Sequence, residues 1–234
     1  VFKGETLYIL ENQEHRVQKV CVGKQSAKSL GSLATMGEGP GEVWLPIEVA
    51  VSGEGEVIVQ DNSGISFFDA RDRFVRRFQV FSSWIAFTEL GGDIFFLTSR
   101  PKESNLIDVF SKDGTRRRSF LPKLYDVDGL ADSASDLARI ESYFYAGNLL
   151  NDGQILYYLN ASFGRFFKLS HEGEVMAERD VSEIFGPRGK MVLEKNQALM
   201  KNPAPFFDPK GIVLHRFYRD ACLVGGKIYV LRWV

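Results

Sequence analysis

The chain has 234 residues, of which 44% are apolar and 25% are charged, so it has the composition of a folded globular protein rather than a disordered one. Its formal net charge of −1 excludes a chain-wide positive field that would hold a nucleic-acid backbone or an anionic membrane. Its apolar runs are far shorter than the roughly 20 residues that a membrane-spanning helix needs. The two cysteines, Cys21 and Cys222, are too few for a disulfide framework.

A single pattern recurs along the chain: a β-like run, a glycine-containing turn and a second β-like run. A half-copy at residues 4–10 lacks the first run, and four full copies follow. Such turns between β-branched and aromatic runs are typical of β-hairpins. The predicted hairpins cover residues 49–59, 86–96, 147–157 and 220–230.

Two further β-like runs, joined by a polar turn, follow each of the first three full hairpins. Residues 65–78, 106–120 and 166–179 align in this way. Units of four antiparallel strands, repeated about every 40 residues, are typical of β-propeller blades. We therefore predict an all-β propeller in which about four to five blades' worth of strands are present.

Two insertions interrupt the repeat between a fourth strand and the next first strand. Leu130, Ala134, Leu137 and Ile140 recur at helical spacing, which predicts a helix within about 123–142. A second helix is predicted within about 182–204, where Asn202 and Pro203 end it. We expect one propeller domain over residues 1–234, truncated at one or both ends and with an incomplete ring.

The stretch from Gly37 to Pro46 reads Gly-Glu-Gly-Pro-Gly-Glu-Val-Trp-Leu-Pro. It is followed by a hydrophobic strand ending in Asp61 and a strand ending in Phe68-Asp69, and this combination resembles the NHL-repeat type of six-bladed β-propeller. More loosely, the chain resembles bacterial six-bladed propellers that are often exported. The resemblance implies six blades in the whole protein, an extracytoplasmic location, and a binding site on the face that carries the loops.

Candidate ligand-binding residues lie at the starts of first strands and on the loop-rich face. When the hairpin glycines are aligned, Glu48 and Arg219 fall at one level of the channel, and Asp220 falls at the next level. The simpler interpretation of Glu48 and Arg219 is a structural ion pair across the channel, and the functional one is a ligand carboxylate with a cationic partner. The loop-rich face, formed by the turns after second strands and by the fourth-to-first connections, adds the candidates Trp44, Arg100 and Asn160.

Asp61 has a structural interpretation, because an aspartate in a turn usually accepts hydrogen bonds from nearby backbone amides. His15, His171 and His215 fall in different units and at different ends of the strands, so a three-histidine zinc site is not expected. No order of Ser, His and Asp, and no paired carboxylates, define a hydrolase.

Two functions therefore remain open. The first is a non-enzymatic binding or scaffold propeller, without a cofactor, whose loop-rich face binds a protein, a peptide or a small ligand. The alternative is a metal-dependent lactonase-like hydrolase or lyase at the channel mouth, with Glu48 and Asp220 as ligands of a divalent ion. Nucleic acid is disfavoured as a partner by the near-zero net charge.

Overall fold

The computed structural model describes residues 1–11, 13–79, 84–98, 104–131, 133–201, 216–218 and 220–231. Within these ranges the chain forms four four-stranded antiparallel sheets, one two-stranded hairpin and two α-helices. In each sheet the strands are hydrogen-bonded in chain order, as in the blades of a propeller. The chain is thus an all-β propeller of four-stranded antiparallel blades, as the repeat predicted.

Two compact units can be distinguished, and each is described by itself. Unit 1 comprises Val1–Ser82 and Lys112–Thr115. It contains the first sheet, β1 to β4, and the second sheet, β5 to β8. Its strands are β1 (Phe2–Lys3), β2 (Thr6–Glu11), β3 (Arg16–Val22), β4 (Ala27–Ala34), β5 (Glu48–Val51), β6 (Val57–Asp61), β7 (Gly64–Phe68) and β8 (Phe74–Gln79).

Unit 2 comprises Ser83–Ser111 and Arg116–Val234. It contains the third sheet, β9 to β12, the fourth sheet, β13 to β16, and the hairpin β17–β18. Its elements are β9 (Trp84–Leu90), β10 (Asp93–Thr98), β11 (Asn105–Ser111), β12 (Arg116–Pro122), α1 (Ala134–Phe144), β13 (Gly147–Asn151), β14 (Leu156–Asn160), β15 (Arg165–Leu169), β16 (Val175–Asp180), α2 (Gly186–Lys201), β17 (Asp220–Val224) and β18 (Lys227–Leu231).

The middle strands of the sheets form the cores of the units. All residues of β6, β7 and β10 are buried, whereas β8 and β16 at the sheet edges are partly or mostly exposed. A strand that is covered on both faces reads as a continuous apolar run, and Asp93–Thr98 has this pattern in its Ile-Phe-Phe-Leu segment. The apolar runs in the sequence therefore predict the central strands more clearly than the edge strands.

Both predicted helices are present in the fourth-to-first connections. Helix α1 begins after Ser133, whose hydroxyl accepts a hydrogen bond from the amide of Asp136 at 3.1 Å. Of the four residues that predicted this helix, Leu137 and Ile140 are buried, whereas Ala134 is exposed and Leu130 precedes the helix; Phe144 completes the buried face. Within the described ranges, neither helix is long and apolar enough to cross a lipid bilayer.

The turns between third and fourth strands share one geometry in the second, third and fourth sheets. The fourth residue of each turn has a positive φ, at 63° for Asp72, 89° for Gly114 and 98° for Gly173. A Cβ atom on Gly173 would lie 2.3 Å from the ring of Phe120, and one on Gly114 would meet the Phe78 side chain at 2.8 Å. Glycine is therefore required at these two turns both by the backbone and by the neighbouring aromatic ring.

Asp72 places a charged side chain at the same turn position in the second sheet. Its carboxylate accepts hydrogen bonds from Tyr8 at 2.7 Å, and from Lys3 and Lys19 at 3.1 Å each. Burial raises the pKa of Asp72, but these three donors outweigh that effect and hold the pKa below its ordinary value. The second sheet is thereby bonded to the first.

The first sheet differs from the sequence expectation of a half-copy without a first strand. Residues 2 and 3 form β1, in which Phe2 pairs with Leu7 and Lys3 pairs with Thr6. A two-residue strand has no alternation that a sequence pattern can reveal, and its pairing with β2 alone defines it.

Candidate functional site

Large apolar side chains are exposed in the connection between the first and second sheets of unit 1. The exposed fraction is 57% for Met36, 42% for Trp44, 37% for Leu45 and 45% for Ile47. Met36 and Trp44 are close in space because Met36 forms a parallel β-bridge with Val43. We call Met36, Trp44, Leu45 and Ile47, together with His15 beside them, the Trp44 surface.

His15 brings a second connection of unit 1 to this surface, since it lies in the turn between β2 and β3. Its ring centroid is 4.8 Å from that of Trp44, and its Nδ1 atom accepts a hydrogen bond from the Leu45 amide at 3.1 Å. A neutral His15 ring therefore carries its proton on Nε2. The backbone φ is 47° at His15 and 53° at Leu45. Such values are costly for non-glycine residues, and the contact between the two residues helps to hold them.

Asp61 fixes this loop from inside the protein. Its carboxylate accepts hydrogen bonds from the backbone amides of Trp44, Ser63 and Gly64, each at 2.9 Å. The Nη2 atom of Arg77 lies 2.6 and 2.7 Å from its two oxygens. Because Asp61 is buried, these charge-assisted bonds are little weakened by water. The prediction that Asp61 accepts bonds from turn amides is confirmed.

The glycine-rich stretch ahead of Trp44 is closed on itself by Glu42. Its Oε2 atom accepts a hydrogen bond from the amide of Gly39 at 2.7 Å. Its backbone oxygen accepts one from Arg77 at 3.1 Å. Arg77 therefore bonds both to Asp61 and to the loop that carries Trp44, and these bonds fix the main chain beneath the Trp44 surface.

The segments that form this surface carry an excess of negative charge. Residues 13–16 and 36–48 contain the four carboxylates Glu14, Glu38, Glu42 and Glu48 and one cationic side chain, Arg16. A hydrogen bond to Glu11 raises the pKa of Arg16, so this cation is already paired. The surface is therefore apolar at Trp44 and acidic in the same segments.

Glu48 and Asn160 were also predicted as site residues, and neither is part of the Trp44 surface. Glu48 begins β5, is half-buried and lies opposite Gln60 of β6. Asn160 ends β14 and is fully buried, and its carboxamide oxygen accepts bonds from the amides of Ser162 at 3.1 Å and Phe163 at 2.7 Å. The described contacts of Asn160 all support the local fold of unit 2.

Of the remaining predicted residues, Asp220 is described and lies in unit 2. Asp220 begins β17, is exposed and accepts a hydrogen bond from the side chain of Asn148 at 2.9 Å. Arg100 and Arg219 are outside the described residues. Across the described ranges, no three or more His, Cys, Asp or Glu side chains are grouped as a metal site. The metal hypothesis for Glu48, in unit 1, and Asp220, in unit 2, stays a prediction.

Sequence reasoning selected Trp44 but missed the residues around it. Leu45 and Ile47 continue the apolar run after Trp44 through Pro46, and a run of this kind in a predicted loop was the available signal. The contact with His15 had no such signal, because His15 precedes Trp44 by 29 positions and no common period relates the two. Only the pairing of the strands brings the two rings together.

No family model and no curated protein matches the chain. Solved structures do share its fold. A Bacteroides fragilis protein described as exported has a TM-score of 0.56 and 12% identity, covering 73% of this chain and 46% of that chain. The virginiamycin B lyase of Staphylococcus aureus has a TM-score of 0.50 and 14% identity, covering 77% and 54%. The hydrazine synthase of Kuenenia stuttgartiensis has a TM-score of 0.51 and 19% identity, covering 76% and 46%.

Together, the repeated four-stranded sheets and these similarities place the chain in the class of β-propeller proteins. At such identities a structural likeness establishes the fold alone. The chain spans about half the length of the solved structures it matches. The narrower assignment to six-bladed NHL propellers is not confirmed.

Proposed function

We propose that the chain belongs to a binding propeller that holds a protein or peptide partner on the Trp44 surface. The observation that carries the proposal is that four large apolar side chains are exposed within one connection, which the buried carboxylate of Asp61 anchors at Trp44. Exposed apolar patches of this kind mark interaction sites, and tryptophan is among the residues most enriched in the energetic centres of interfaces.

The rigidity of the loop supports the proposal as much as its exposure does. Asp61, Arg77 and Glu42 hold the main chain at Trp44 and just before it, and the backbone oxygen of Gln60 holds the Ile47 amide after it. A surface that is ordered before binding loses less conformational entropy when a partner arrives. The positive φ angles of His15 and Leu45 fit this interpretation, because strained residues are retained where the surrounding structure uses them.

The wider assignments rest on the resemblance of residues 37–69. We infer from it that the whole protein is a six-bladed propeller of the NHL type, which binds on its loop-rich face. His15 and Trp44 lie in connections of the kind that form this face. We also infer an extracytoplasmic location, for which a neighbour in the fold is described as exported. Fractionation of native cells, with the full-length protein followed by antibody, tests the location, and recovery in the cytoplasm would contradict it.

Comparative partner capture tests the proposed function. Wild-type protein, Trp44→Ala and Ile184→Ala are immobilised, exposed to extract from native cells, and their bound proteins are quantified by mass spectrometry. Ile184 is a matched control because it is an exposed apolar residue of unit 2. We expect proteins that bind to wild type and to Ile184→Ala to be depleted at least tenfold on Trp44→Ala, since loss of a central tryptophan commonly costs 2 kcal/mol or more.

The stability of each variant is measured by urea denaturation, so that a folding defect is recognised. Trp44→Ala is expected to unfold close to the wild-type midpoint, because its bond to Asp61 is made by the backbone amide. Identical bound proteins on wild type and on a folded Trp44→Ala variant would contradict the proposal.

A further inference from the structure

We propose that the partner segment on the Trp44 surface is cationic as well as apolar: a peptide that carries a Lys or Arg side chain beside a large apolar one. This inference rests on the proposed function and adds the chemistry of the partner. The structure supplies the argument in the charges of the loop segments, the exposed indole ring and a buried oxygen beside Glu48.

Charge complementarity indicates that the partner peptide carries positive charge. The segments 13–16 and 36–48 have four carboxylates, whereas the whole chain has a net charge of only −1, so negative charge is concentrated here. Arg16 is paired with Glu11, and Arg77 is paired with Asp61. An acidic peptide would therefore meet carboxylates and two cations that are already engaged. A basic peptide would gain favourable contacts and faster association.

The indole ring of Trp44 gives the partner cation a place to bind. Trp44 is 42% exposed, and its ring packs against His15 with a centroid distance of 4.8 Å. Tryptophan is the best aromatic acceptor for an ammonium or guanidinium group, which is attracted to the negative face of the ring. The apolar side chains of Met36, Leu45 and Ile47 then take the apolar part of the peptide.

Gln60 contributes an independent observation. Its side-chain oxygen is buried and has no hydrogen-bond partner among the described residues. Gln60 pairs with Glu48 across β5 and β6, and its backbone oxygen accepts the Ile47 amide at 2.8 Å. Directly paired residues of antiparallel strands point to the same face of the sheet. The buried Gln60 oxygen therefore lies on the same sheet face as the Glu48 side chain, and a cationic side chain has the donor that this oxygen lacks.

Two matched peptide libraries test the inference. Immobilised ten-residue peptides have random apolar positions around a fixed Lys or Arg pair in the first library, and around a fixed Glu or Asp pair in the second. A third library with a Ser or Gln pair serves as the neutral reference. Binding of the folded protein is measured on all three, and the best peptides are titrated by calorimetry at low and high salt.

Two double variants separate local charge from overall charge. Glu14→Gln with Glu38→Gln removes two exposed carboxylates from the loop segments. Glu174→Gln with Glu183→Gln removes two exposed carboxylates from unit 2 and changes the net charge equally. We expect the first pair to weaken binding of the Lys or Arg peptides by about 3- to 10-fold at low salt, the second to change it less than twofold, and Trp44→Ala to abolish it.

The outcomes separate this inference from the proposed function. One outcome would overturn the cationic chemistry and leave the binding surface in place. In it, the best peptides come from the neutral or acidic library, their binding depends on Trp44, and Glu14→Gln with Glu38→Gln does not change it. The absence of any peptide whose binding depends on Trp44 would overturn both. Best binding by the Lys or Arg library, with the expected response to both double variants, supports both.

Discussion

In the second and fourth sheets, a polar side chain at the end of the second strand caps the backbone amides of the following turn, but the capping group differs. Asp61 ends β6 and Asn160 ends β14, and each side chain accepts bonds from the amides two and three residues further on. Asp61 adds an ion pair with Arg77. Asn160 instead donates a hydrogen bond to the backbone oxygen of Phe144 at 2.7 Å.

The surroundings of the two residues explain the difference. The Asn160 carboxamide is fully buried against the last residue of α1, where a carboxylate would face a carbonyl oxygen without a donor of its own. Asp61 has Arg77 to compensate its charge, and its loop leads to an exposed surface. The same turn is thus capped by a neutral group where a helix covers it and by a charged group where the loop stays open.

The turns between the third and fourth strands of these two sheets also differ in having a charged or a neutral residue. Asp72 and Gly173 occupy the same turn position with positive φ. Asp72 bonds to lysine and tyrosine side chains of the first sheet, whereas Gly173 allows close packing on Phe120. The second sheet therefore has charged side chains at both positions, whereas the fourth sheet has a neutral carboxamide and a glycine at the equivalent positions.

Asp61→Asn should have the largest effect, because it leaves the guanidinium of Arg77 without its charge partner. We expect the free energy of unfolding to fall by about 3 kcal/mol, as when one partner of a buried ion pair is removed. Urea denaturation measures the loss. Adding Arg77→Gln should restore part of it, and a single-variant loss below about 1 kcal/mol would contradict the role given to Asp61.

Asn160→Asp makes the reverse exchange and should destabilise the protein by about 2 to 3 kcal/mol at neutral pH. Burial raises the pKa of such a carboxyl above its value in the unfolded chain, so folding favours the protonated form. The loss should therefore be small near pH 4 and increase as the pH rises towards the folded-state pKa. Urea titrations from pH 4 to 8 measure this trend, and a loss that does not change with pH would contradict it.

Gly173→Ala tests the packing at the other end of the fourth sheet. The new methyl group would collide with Phe120, and the residue would keep a φ of 98°, so we expect a loss of about 2 kcal/mol. Gly153→Ala is the matched control, because Gly153 has a φ of 92° but open space around it. Thermal unfolding should show a loss of about 1 kcal/mol for the control, and equal losses would rule out the contribution of Phe120.

Asp72→Asn should have the smallest effect, about 1 kcal/mol at neutral pH, since its ion pairs are partly open to solvent. The pKa of Asp72 is lowered in the folded state, so its contribution is present above the unfolded-state pKa. It should be lost as the pH falls through the folded-state pKa. The difference between wild type and variant should shrink from pH 6 to pH 2 in urea titrations, whereas Glu174→Gln, an exposed control, should show little difference at any pH.

Much of this comparison was visible in the sequence, and the rest depends on contacts between distant residues. The hairpin of β5 and β6, the helix α1 and the capping of the Ser63 and Gly64 amides by Asp61 follow from local patterns of apolar and turn residues. The burial of Asn160 does not, because it depends on where α1 places Phe144. The three partners of Asp72 lie in the first sheet, and no spacing in the sequence indicates them.

The turn at Asp72 also has a consequence for how the chain folds during synthesis. Its partners Lys3, Tyr8 and Lys19 are all translated earlier, and the nearest in sequence, Lys19, precedes it by 53 residues. At a translation rate of 5–20 residues per second, Asp72 is made roughly 3 to 10 s after Lys19. The first sheet can be complete while its two lysines still face water, and the arriving carboxylate then forms an ion pair with each of them. The ribosome thus sets the order in which this contact forms.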